Sequence, residues 1–325
     1  MSAQVIVVGS FNQDHVWHID RCPAAGETRR GHDFAAGPGG KGFNQAVACV
    51  RQDVATAFIG AHGDDALGRE AERIAASEGL DGRWQVDAEH ATGSACIIVE
   101  DGGQNRIVVD LGANEHLERA HIDAQDAAFA DARVLLTQME NNLDAVTHAL
   151  AHGRKRRLTC VLNPAPIHAD ASAECLRLAD VLTPNEGEFA ELCARFAGQS
   201  VDAESVADMR DADLHELARR LTGASVIITL GARGSFVSHG EDRHGDGAAH
   251  YRVAPEAVDA VDTTAAGDAF CGALAAALVR LGLADRPFGD AVAHANRVAA
   301  MATERRGAAG VMPRWSEVEA RFGPT

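Results

Sequence analysis

The segment from Val261 to Phe270 places small residues and a late carboxylate at the predicted start of a helix. Beyond it, apolar residues recur at helical spacing, at Phe270, Leu274, Ala277, Leu278 and Leu281. A helix N-terminus has unpaired N–H groups, so the amides of Ala265, Ala266, Gly267 and Asp268 would bind an anionic phosphoryl group. Asp268 could accept the proton of an attacking hydroxyl, as phosphoryl transfer requires. Taken alone, the segment fits equally well an ordinary first-turn acid among small residues that allow close packing.

A second glycine-rich turn, Gly37-Pro38-Gly39-Gly40-Lys41-Gly42, leads into a helix whose predicted apolar face is Phe43, Ala46, Val47 and Val50. With both segments in view, the chain resembles the PfkB family of carbohydrate kinases, also called the ribokinase family. The signatures of that family are Gly-Gly-Lys-Gly-x-Asn-Gln-Ala near the N-terminus and Asp-Thr-x-Ala-Ala-Gly-Asp near the C-terminus, and both occur here in that order.

The resemblance extends over nearly the whole chain. It also includes Gly9–Asp14, Gly63–Asp65, Gly112–Asn114, Gln138–Glu140, Thr183–Glu188 and Thr229–Gly234. It implies an α/β fold of the ribokinase-like type, a three-layer sandwich with a mainly parallel central sheet and a small β-sheet lid. It further implies a single domain over residues 1–325.

Short β-branched runs alternate with longer Ala-rich helical patterns, which is typical of a mainly parallel sheet built from βαβ units. The strand candidates are Val5–Val8, Ala57–Gly60, Val134–Thr137, Thr159–Leu162, Val181–Thr183 and Val226–Leu230. Two polar stretches, Gly198–Asp213 and Gly240–Ala249, are predicted as loops.

A different pattern predicts the lid, within residues 15–34 and 95–109. Its strand candidates are His15–Ile19, Arg29–Phe34, Ala95–Glu100 and Arg106–Val109. The turn Asp101-Gly102-Gly103 indicates antiparallel pairing and a hairpin. In the family that the chain resembles, the lid covers the sugar and often forms a dimer contact, so a homodimer is expected.

Composition is consistent with a cytoplasmic enzyme. The 325 residues are 46% hydrophobic, enough for a sizeable core, and the net charge of −17 argues against nucleic acid as a partner. The basic run Arg154–Arg157 is short and reads as a solvated helix end or turn before a strand. Seven scattered cysteines without a Cys-x-x-Cys pair fit reduced thiols. We expect neither a leader segment nor a membrane span.

Rival motifs are weak or absent. Gly37, Gly39 and Gly42 satisfy G-x-G-x-x-G formally, but they do not follow the first strand, so a dinucleotide fold is disfavoured. A Walker-type phosphate loop is excluded because Lys41 is followed by glycine instead of Ser or Thr. The sequence has no H-E-x-x-H or G-x-S-x-G, and its fifteen histidines are scattered.

The resemblance assigns roles on the acceptor side of the site. The expected sugar-binding residues are Asn12, Asp14, Gly40, Lys41, Asn44, Glu140 and Asp268, with Asp268 also the catalytic base. A carboxylate such as Asp14 can accept hydrogen bonds from vicinal hydroxyls. The alternative for Asn12 and Asp14 is simple turn formation.

The resemblance also assigns the ATP and metal side. Asn185, Thr229, Gly231, Gly234 and Asn296 are expected to contact ATP, and Asn185 with Glu188 to organise Mg²⁺ through water. Without the family, Glu188 would be a capping acid. Asp262 and Thr264, with the loop Arg305–Gly310, match the parts that hold a monovalent cation, usually K⁺. The chain departs from the family at Val311, where a hydroxyl residue is common, which weakens the prediction of K⁺ activation.

These assignments predict an ATP-dependent sugar kinase that phosphorylates the 5-hydroxyl of D-ribose. The same chemistry could instead serve a nucleoside such as adenosine or inosine, or another furanose or keto-sugar acid. A nucleoside would need an aromatic shelf, for which Trp17 and Phe34 are the lid candidates. A non-catalytic sugar-binding protein and an NAD-dependent oxidoreductase are alternatives from other classes.

Overall fold

The computed structural model describes residues 2–102, 104–282 and 286–324. Within them the chain alternates strands and helices as the sequence pattern predicts. The strands are β1 (Val5–Val8), β2 (Asn12–Ile19), β3 (Asp33–Gly39), β4 (Thr56–Gly63), β5 (Asp81–Asp87), β6 (Ser94–Glu100), β7 (Asn105–Asp110), β8 (Val134–Gln138), β9 (Thr159–Asn163), β10 (Val181–Leu182), β11 (Ser225–Thr229), β12 (Ser235–Ser238) and β13 (His250–Val253).

The helices lie mostly between parallel strands. They are α1 (Lys41–Arg51), α2 (Ala66–Glu78), α3 (Arg119–Ala124), α4 (Leu143–Lys155), α5 (Ala173–Leu178), α6 (Glu186–Leu192), α7 (Asp211–Leu221), α8 (Ala266–Ala277), α9 (Phe288–Ala302) and α10 (Trp315–Phe322). None of the helices in the described ranges combines the length and the hydrophobicity that a membrane span requires.

Nine strands form the central sheet, in the order β13-β12-β11-β10-β9-β8-β1-β4-β5. All pairs from β11 to β5 are parallel, and β12 and β13 add an antiparallel edge. The six strands predicted for a parallel sheet all occur here, as β1, β4, β8, β9, β10 and β11. The predicted fold class is therefore confirmed. The sequence pattern did not identify β5, β12 or β13.

Helices cover both faces of the sheet. Because side chains alternate along a strand, Val5 and Val7 of β1 belong to one buried apolar cluster, and Ile6 and Val8 belong to the other. The first cluster contains the buried faces of α1, α8 and α9, and the second those of α4, α6 and α7. Strands buried on both faces explain the continuous apolar runs in the sequence.

The second sheet has the order β3-β2-β6-β7 and corresponds to the predicted lid. Strands β2, β6 and β7 begin before the predicted segments, and β2 and β6 end with them, at Ile19 and Glu100. Strand β3 shares only Asp33 and Phe34 with the predicted segment Arg29–Phe34. The remainder of β3 contains Gly37, Pro38 and Gly39, residues that disfavour a strand by propensity but are tolerated at a sheet edge.

The pairing in the lid also differs in part from the prediction. Strands β6 and β7 are antiparallel, as expected of a hairpin, although Gly103 of the predicted turn lies outside the described residues. The central pair β2 and β6 is parallel, which the long stretch of chain between the two strands permits. Local turn patterns cannot indicate such a pairing.

The loop predictions were right in one case and wrong in the other. Gly240–Ala249 contains neither helix nor strand. Gly198–Asp213 contains a 3₁₀ helix, Ala203–Asp208, whose first turn is capped by the side chain of Asp202, and it also includes the first residues of α7. The basic run Arg154–Arg157 is exposed at the end of α4.

Candidate active site

A cavity of about 170 Å³ opens where the carboxyl ends of β9, β10 and β11 meet the start of α8. Ligands of open α/β sheets characteristically bind at this edge. The cavity is lined by Lys41, Asn163, Ala165, Thr183, Asn185, Glu188, Thr229, Ala265, Gly267, Asp268 and Cys271. Predicted catalytic, ATP-side and metal-side residues thus converge on one space from segments far apart in the chain.

The start of α8 is open toward ligands because no side chain caps it. Ala265 occupies the N-cap position in the left-handed conformation, with φ of 58°. The amide of Ala266 donates to the carbonyl oxygen of Thr263 at 3.2 Å. Within the described part of the chain, the amides of Gly267 and Asp268 have no hydrogen-bond acceptor. These free donors, with the positive end of the helix dipole, suit a phosphoryl group.

Asp268 lies buried in the first turn of α8, between two side-chain amides of α1. Asn44 Nδ2 donates to Asp268 Oδ2 at 2.9 Å, and Gln45 Nε2 donates to Asp268 Oδ1 at 2.9 Å. Burial raises the pKa of Asp268, while the charge of Lys41 and the two amide donors act in the opposite direction. A carboxylate with a raised pKa is a better proton acceptor than an exposed aspartate.

Close packing of α1 against α8 makes these hydrogen bonds possible. A Cβ atom on Gly272 would lie 2.4 Å from the carbonyl oxygen of Gln45 and 2.5 Å from Cβ of Ala48, so a larger residue cannot fit without movement of a helix. Cys49 Sγ donates to the Gly272 carbonyl at 3.1 Å. The small residues of α8 therefore set the distance between Asp268 and its donors.

Sequence reasoning did not assign a role to Gln45, yet Gln45 is at the centre of a buried amide network. Gln138 Nε2 donates to Gln45 Oε1 at 2.6 Å, and Gln45 Nε2 also lies 3.1 Å from Asn163 Oδ1. Asn163 Nδ2 in turn donates to the carbonyl of Thr183 at 2.9 Å. Two signals were available: Gln45 is part of the first signature, and Asn163 ends a parallel strand.

Lys41 connects the cavity to the predicted acceptor side. Its side chain lines the cavity, and its amide donates to Glu140 Oε2 at 2.8 Å, the oxygen that also accepts a hydrogen bond from Ser10 Oγ. Burial alone would lower the pKa of Lys41, but the charges of Asp268, Glu140 and Glu188 outweigh it, and the pKa is raised. The side chain therefore carries a firmly held positive charge.

Gly40 makes this turn possible. Its φ is 86°, and a Cβ atom there would lie 2.7 Å from the amide nitrogen of Asn12. Only glycine fits both the conformation and the space. The turn consequently holds the start of α1 directly against the beginning of β2.

Asn12 and Asp14 lie on β2, beside this turn and outside the cavity lining. Asn114 Nδ2 donates to Asn12 Oδ1 at 3.1 Å, and Asn114 also bonds the backbone of Phe11, which fixes the start of the lid. The pKa of Asp14 is raised to about 7 by burial and by the nearby charges of Glu140 and Asp268. Asp14, Glu140 and Asp268 thus form a concentrated set of acceptors.

Asn44 offers a further unused acceptor. Its Oδ1 is buried and has no hydrogen-bond partner among the described residues, although its Nδ2 is bonded to Asp268. A buried amide oxygen without a donor is unfavourable by about 1–3 kcal/mol. A ligand hydroxyl at this position would satisfy it.

Asn185 and Glu188 form a reciprocal capping box at the start of α6. Asn185 Oδ1 accepts from the Glu188 amide at 2.8 Å, and Glu188 Oε2 accepts from the Asn185 amide at 2.9 Å. Burial raises the pKa of Glu188, and the hydrogen bond from Asn185 and the charge of Lys41 oppose that effect. Both residues also line the cavity, and Glu188 Oε1 is not used in the box.

The remaining ATP-side residues differ in position. Thr229 lines the cavity and bridges to Asn185, and the turn that follows contains Gly231 and Gly234 with φ of 51° and 83°. Asn296 is not in the cavity lining. Asn296 Oδ1 accepts from Ser235 Oγ at 2.6 Å, and Asn296 Nδ2 donates to the Ala254 carbonyl at 3.2 Å.

Asp262 is brought to the C-terminal loop, as the predicted cation site requires. Its two carboxylate oxygens accept from the amides of Thr264 at 2.9 Å and Gly307 at 3.2 Å. Burial would raise the pKa of Asp262, but these hydrogen bonds hold it below the ordinary value. Asp262 is therefore a firmly ionised carboxylate.

Together, the fold and the site define a ribokinase-like α/β protein with an anion-binding helix start beside a buried carboxylate. The chain matches the model of the pfkB family carbohydrate kinases over residues 2–315, and it belongs to that family. It is 35% identical to the ribokinase of Haemophilus influenzae, over 96% of both chains.

Solved structures of ribokinases share the fold of this chain. The ribokinase of Giardia lamblia superposes with a TM-score of 0.85 at 27% identity, covering 99% of each chain. The Arabidopsis thaliana ribokinase complexed with ribose and ATP superposes with a TM-score of 0.80 at 26% identity, covering all of both chains. The predicted family is confirmed.

Proposed function

We propose that this protein transfers the γ-phosphoryl group of ATP to the 5-hydroxyl of D-ribose. One observation carries the proposal: Asp268 lies at the open N-terminus of α8, between a cavity suited to phosphates and a group of buried hydrogen-bond acceptors. Full-length similarity to ribokinases, one of them solved with ribose and ATP, supports this acceptor and this donor.

In the proposed reaction, Asp268 accepts the proton of the 5-hydroxyl as that oxygen attacks the γ-phosphorus of ATP. The bond from the γ-phosphorus to the bridging oxygen breaks, and ADP leaves. The free amides at the start of α8 and the charge of Lys41 stabilise the negative charge on the transferring group. Asn44 and Gln45 keep the Asp268 carboxylate in place throughout.

Ribose is held on the lid side of Asp268. Asp14 and Glu140 accept hydrogen bonds from sugar hydroxyls, and the unpaired Asn44 Oδ1 accepts another. Asn12 contributes from β2, and Gly40 with Lys41 closes the other side. The lid excludes water that would otherwise hydrolyse ATP.

On the donor side, Thr229, Gly231 and Gly234 approach the nucleotide through backbone and hydroxyl groups. Asn296 contributes on the adenosine side, with its side chain oriented by hydrogen bonds to Ser235 Oγ and the Ala254 carbonyl. Asn185 and Glu188 fit Mg²⁺ bound through water, since an oxygen of Glu188 remains available at the cavity. When bound, Mg²⁺ neutralises phosphate charge.

The other proposed features concern ions, assembly and location. Asp262 and Thr264, next to Gly307, are proposed to hold K⁺. The protein is proposed to be a homodimer formed through the lid, where Trp17 and Phe34 are exposed. Free cysteines throughout the described residues support a reducing location such as the cytoplasm.

The test is an acceptor panel assayed for ADP release, with D-ribose, other furanoses, adenosine and inosine. We expect D-ribose to give the highest kcat/KM. Asp268→Asn should lower kcat by about 10²–10⁴ while the thermal midpoint and ATP affinity stay near the parent values. A nucleoside as the best acceptor, or a kcat within tenfold of the parent for Asp268→Asn, would contradict the proposal.

A further inference from the structure

A group of histidines and carboxylates connects α3 and α4, away from the catalytic cavity. His148 and His152 are one turn apart on the same face of α4, and Asp123 projects toward them from α3. Helix α4 starts just after Glu140, at the catalytic edge of the sheet, and runs back toward the opposite edge. The proposed kinase reaction does not use this group.

The distances suit a metal ion of the first transition row. His148 Nε2 lies 2.8 Å and His152 Nδ1 3.5 Å from Asp123 Oδ1, and the three ligand atoms lie within 4.8 Å of one another. Metal–ligand bonds of about 2.0–2.2 Å in a tetrahedron place ligand atoms roughly 3.3–3.6 Å apart. Small rotations of partly exposed side chains are sufficient to reach that geometry.

The contacts around His152 orient its ring for metal binding. Its other ring nitrogen, Nε2, lies 3.1 Å from Asp126 Oδ1, and Arg156 forms an ion pair with Asp126. The ring also packs edge-on against the buried Phe129, with centroids 4.6 Å apart. A carboxylate on the second nitrogen fixes the tautomer and orientation of a metal-binding histidine. Nδ1 of His152 is thus left for a metal.

We propose that Asp123, His148 and His152 bind a divalent transition-metal ion, with Zn²⁺ as the preferred ion and water at the fourth position. Two imidazoles and one carboxylate favour zinc over Mg²⁺ and Ca²⁺, which require oxygen ligands. In the described part of the chain, no other group of three such residues has ligand atoms this close.

The bound ion joins α3 to α4 and stabilises the folded protein without entering the cavity. Binding to the native state raises the thermal midpoint, because the unfolded chain lacks the assembled site. The site is therefore structural, and loading it leaves the sugar-kinase site unaltered.

The experiment is a titration of the full chain with ZnCl₂ after removal of metals by a chelator, without ATP or Mg²⁺. We expect one equivalent to bind and the thermal midpoint to rise by about 3–6 °C at a hundredfold excess over Kd. Replacement by Co²⁺ should give the visible absorption bands of a tetrahedral nitrogen and oxygen site.

Variants distinguish zinc binding at this site from zinc binding by other histidines. His148→Ala and Asp123→Asn should abolish the zinc-dependent rise, and Asp126→Asn should weaken binding by about 10–100-fold through the orientation of His152. The matched control is His90→Ala, since His90 Nδ1 also pairs with a carboxylate, Asp87, at 3.0 Å, outside the proposed site. It should bind zinc as the parent does.

Two results would overturn the proposal. One is a parent protein whose thermal midpoint does not respond to Zn²⁺. The other is a zinc response that is the same in His148→Ala, Asp123→Asn and the parent. In either case the group is a set of histidine–aspartate ion pairs that only stabilises the helix contact.

Discussion

Asp14 combines burial with the charges of two neighbouring carboxylates, Glu140 and Asp268, and its pKa is raised to about 7. An unfolded aspartate has a pKa near 3.8. The folded protein therefore holds a proton on Asp14 across a range in which the unfolded chain does not. Stability that depends on this proton is complete below about pH 4 and is lost as the pH rises toward 7.

Asp14→Asn should remove this loss. The difference in thermal midpoint between the variant and the parent is measured without sugar. This difference should be about 3–6 °C more favourable to the variant at pH 8 than at pH 5. Asp20→Asn is the control: its partner Arg29 lowers the pKa of Asp20, so that variant cannot gain stability as the pH rises. Melting curves of the three proteins test this, and an unchanged difference for Asp14→Asn would show that Asp14 titrates normally.

Gln45 positions the carboxylate of Asp268. It donates to Asp268 Oδ1 and is itself held by Gln138, so the carboxylate cannot rotate freely. Its hydrogen bond also lowers the pKa of Asp268, against the effect of burial. Removing the donor should therefore make the base harder to ionise.

Gln45→Met should lower kcat at pH 7 by about tenfold and shift the acid limb of the kcat profile to higher pH by about one unit. Gln52→Met is the matched control, because Gln52 is equally buried and bonds Pro313 and His294, away from the cavity. It should lose stability and keep the pH profile. Identical profiles for the two variants would leave Gln45 with a structural role only.

At the scale of elements, the contact between α1 and α8 decides whether the base and its donors meet. Gly272 allows this contact, since a Cβ atom there would lie 2.4 Å from the Gln45 carbonyl. A methyl group at position 272 would push α1 away from α8. Both Asn44 and Gln45 would then move relative to Asp268.

Gly272→Ala should lower the free energy of unfolding by about 1–3 kcal/mol and also lower kcat by about 10–100-fold. Gly223→Ala serves as the control, because nothing lies within 4 Å of the added Cβ atom there. Denaturant titrations and steady-state kinetics measure the two effects. Loss of stability with full activity would show that the packing and the catalytic geometry are independent.

At the scale of the whole molecule, the lid has large apolar side chains that remain exposed to solvent. Trp17 and Phe34 are 37% and 53% exposed, and their tilted rings lie with centroids 5.0 Å apart; Val108 on the edge strand β7 is 72% exposed. Apolar residues on a sheet with open edges are typical of an interface between subunits. This pattern supports the proposed dimer.

Phe34→Asp should weaken dimerisation by at least about 30-fold in Kd, as loss of a central apolar contact does. Val86→Asp is the control, since Val86 is also 53% exposed but lies on β5, at the edge of the main sheet. Sedimentation velocity across a range of concentrations distinguishes the two variants. A parent that is monomeric at micromolar concentration and fully active would rule out the dimer.

The sequence by itself determined the class of fold, the family and the segments that carry the chemistry. Periodic apolar patterns are local, and so are the turns of small residues at Gly40 and Gly267, so both are visible in the sequence without knowledge of any distance. The parallel strands β1, β4, β8, β9, β10 and β11 were found this way.

Tertiary structure alone decided which side chains meet. The parallel pairing of β2 with β6, the position of β3 and the link from Gln45 to Asp268 all join residues that are distant in sequence. Asn296 was placed by analogy at the nucleotide, and its hydrogen bonds to Ser235 and the Ala254 carbonyl are known only from the structure. Contacts between distant segments depend on how helices and sheets pack, and no local pattern of residues encodes those distances.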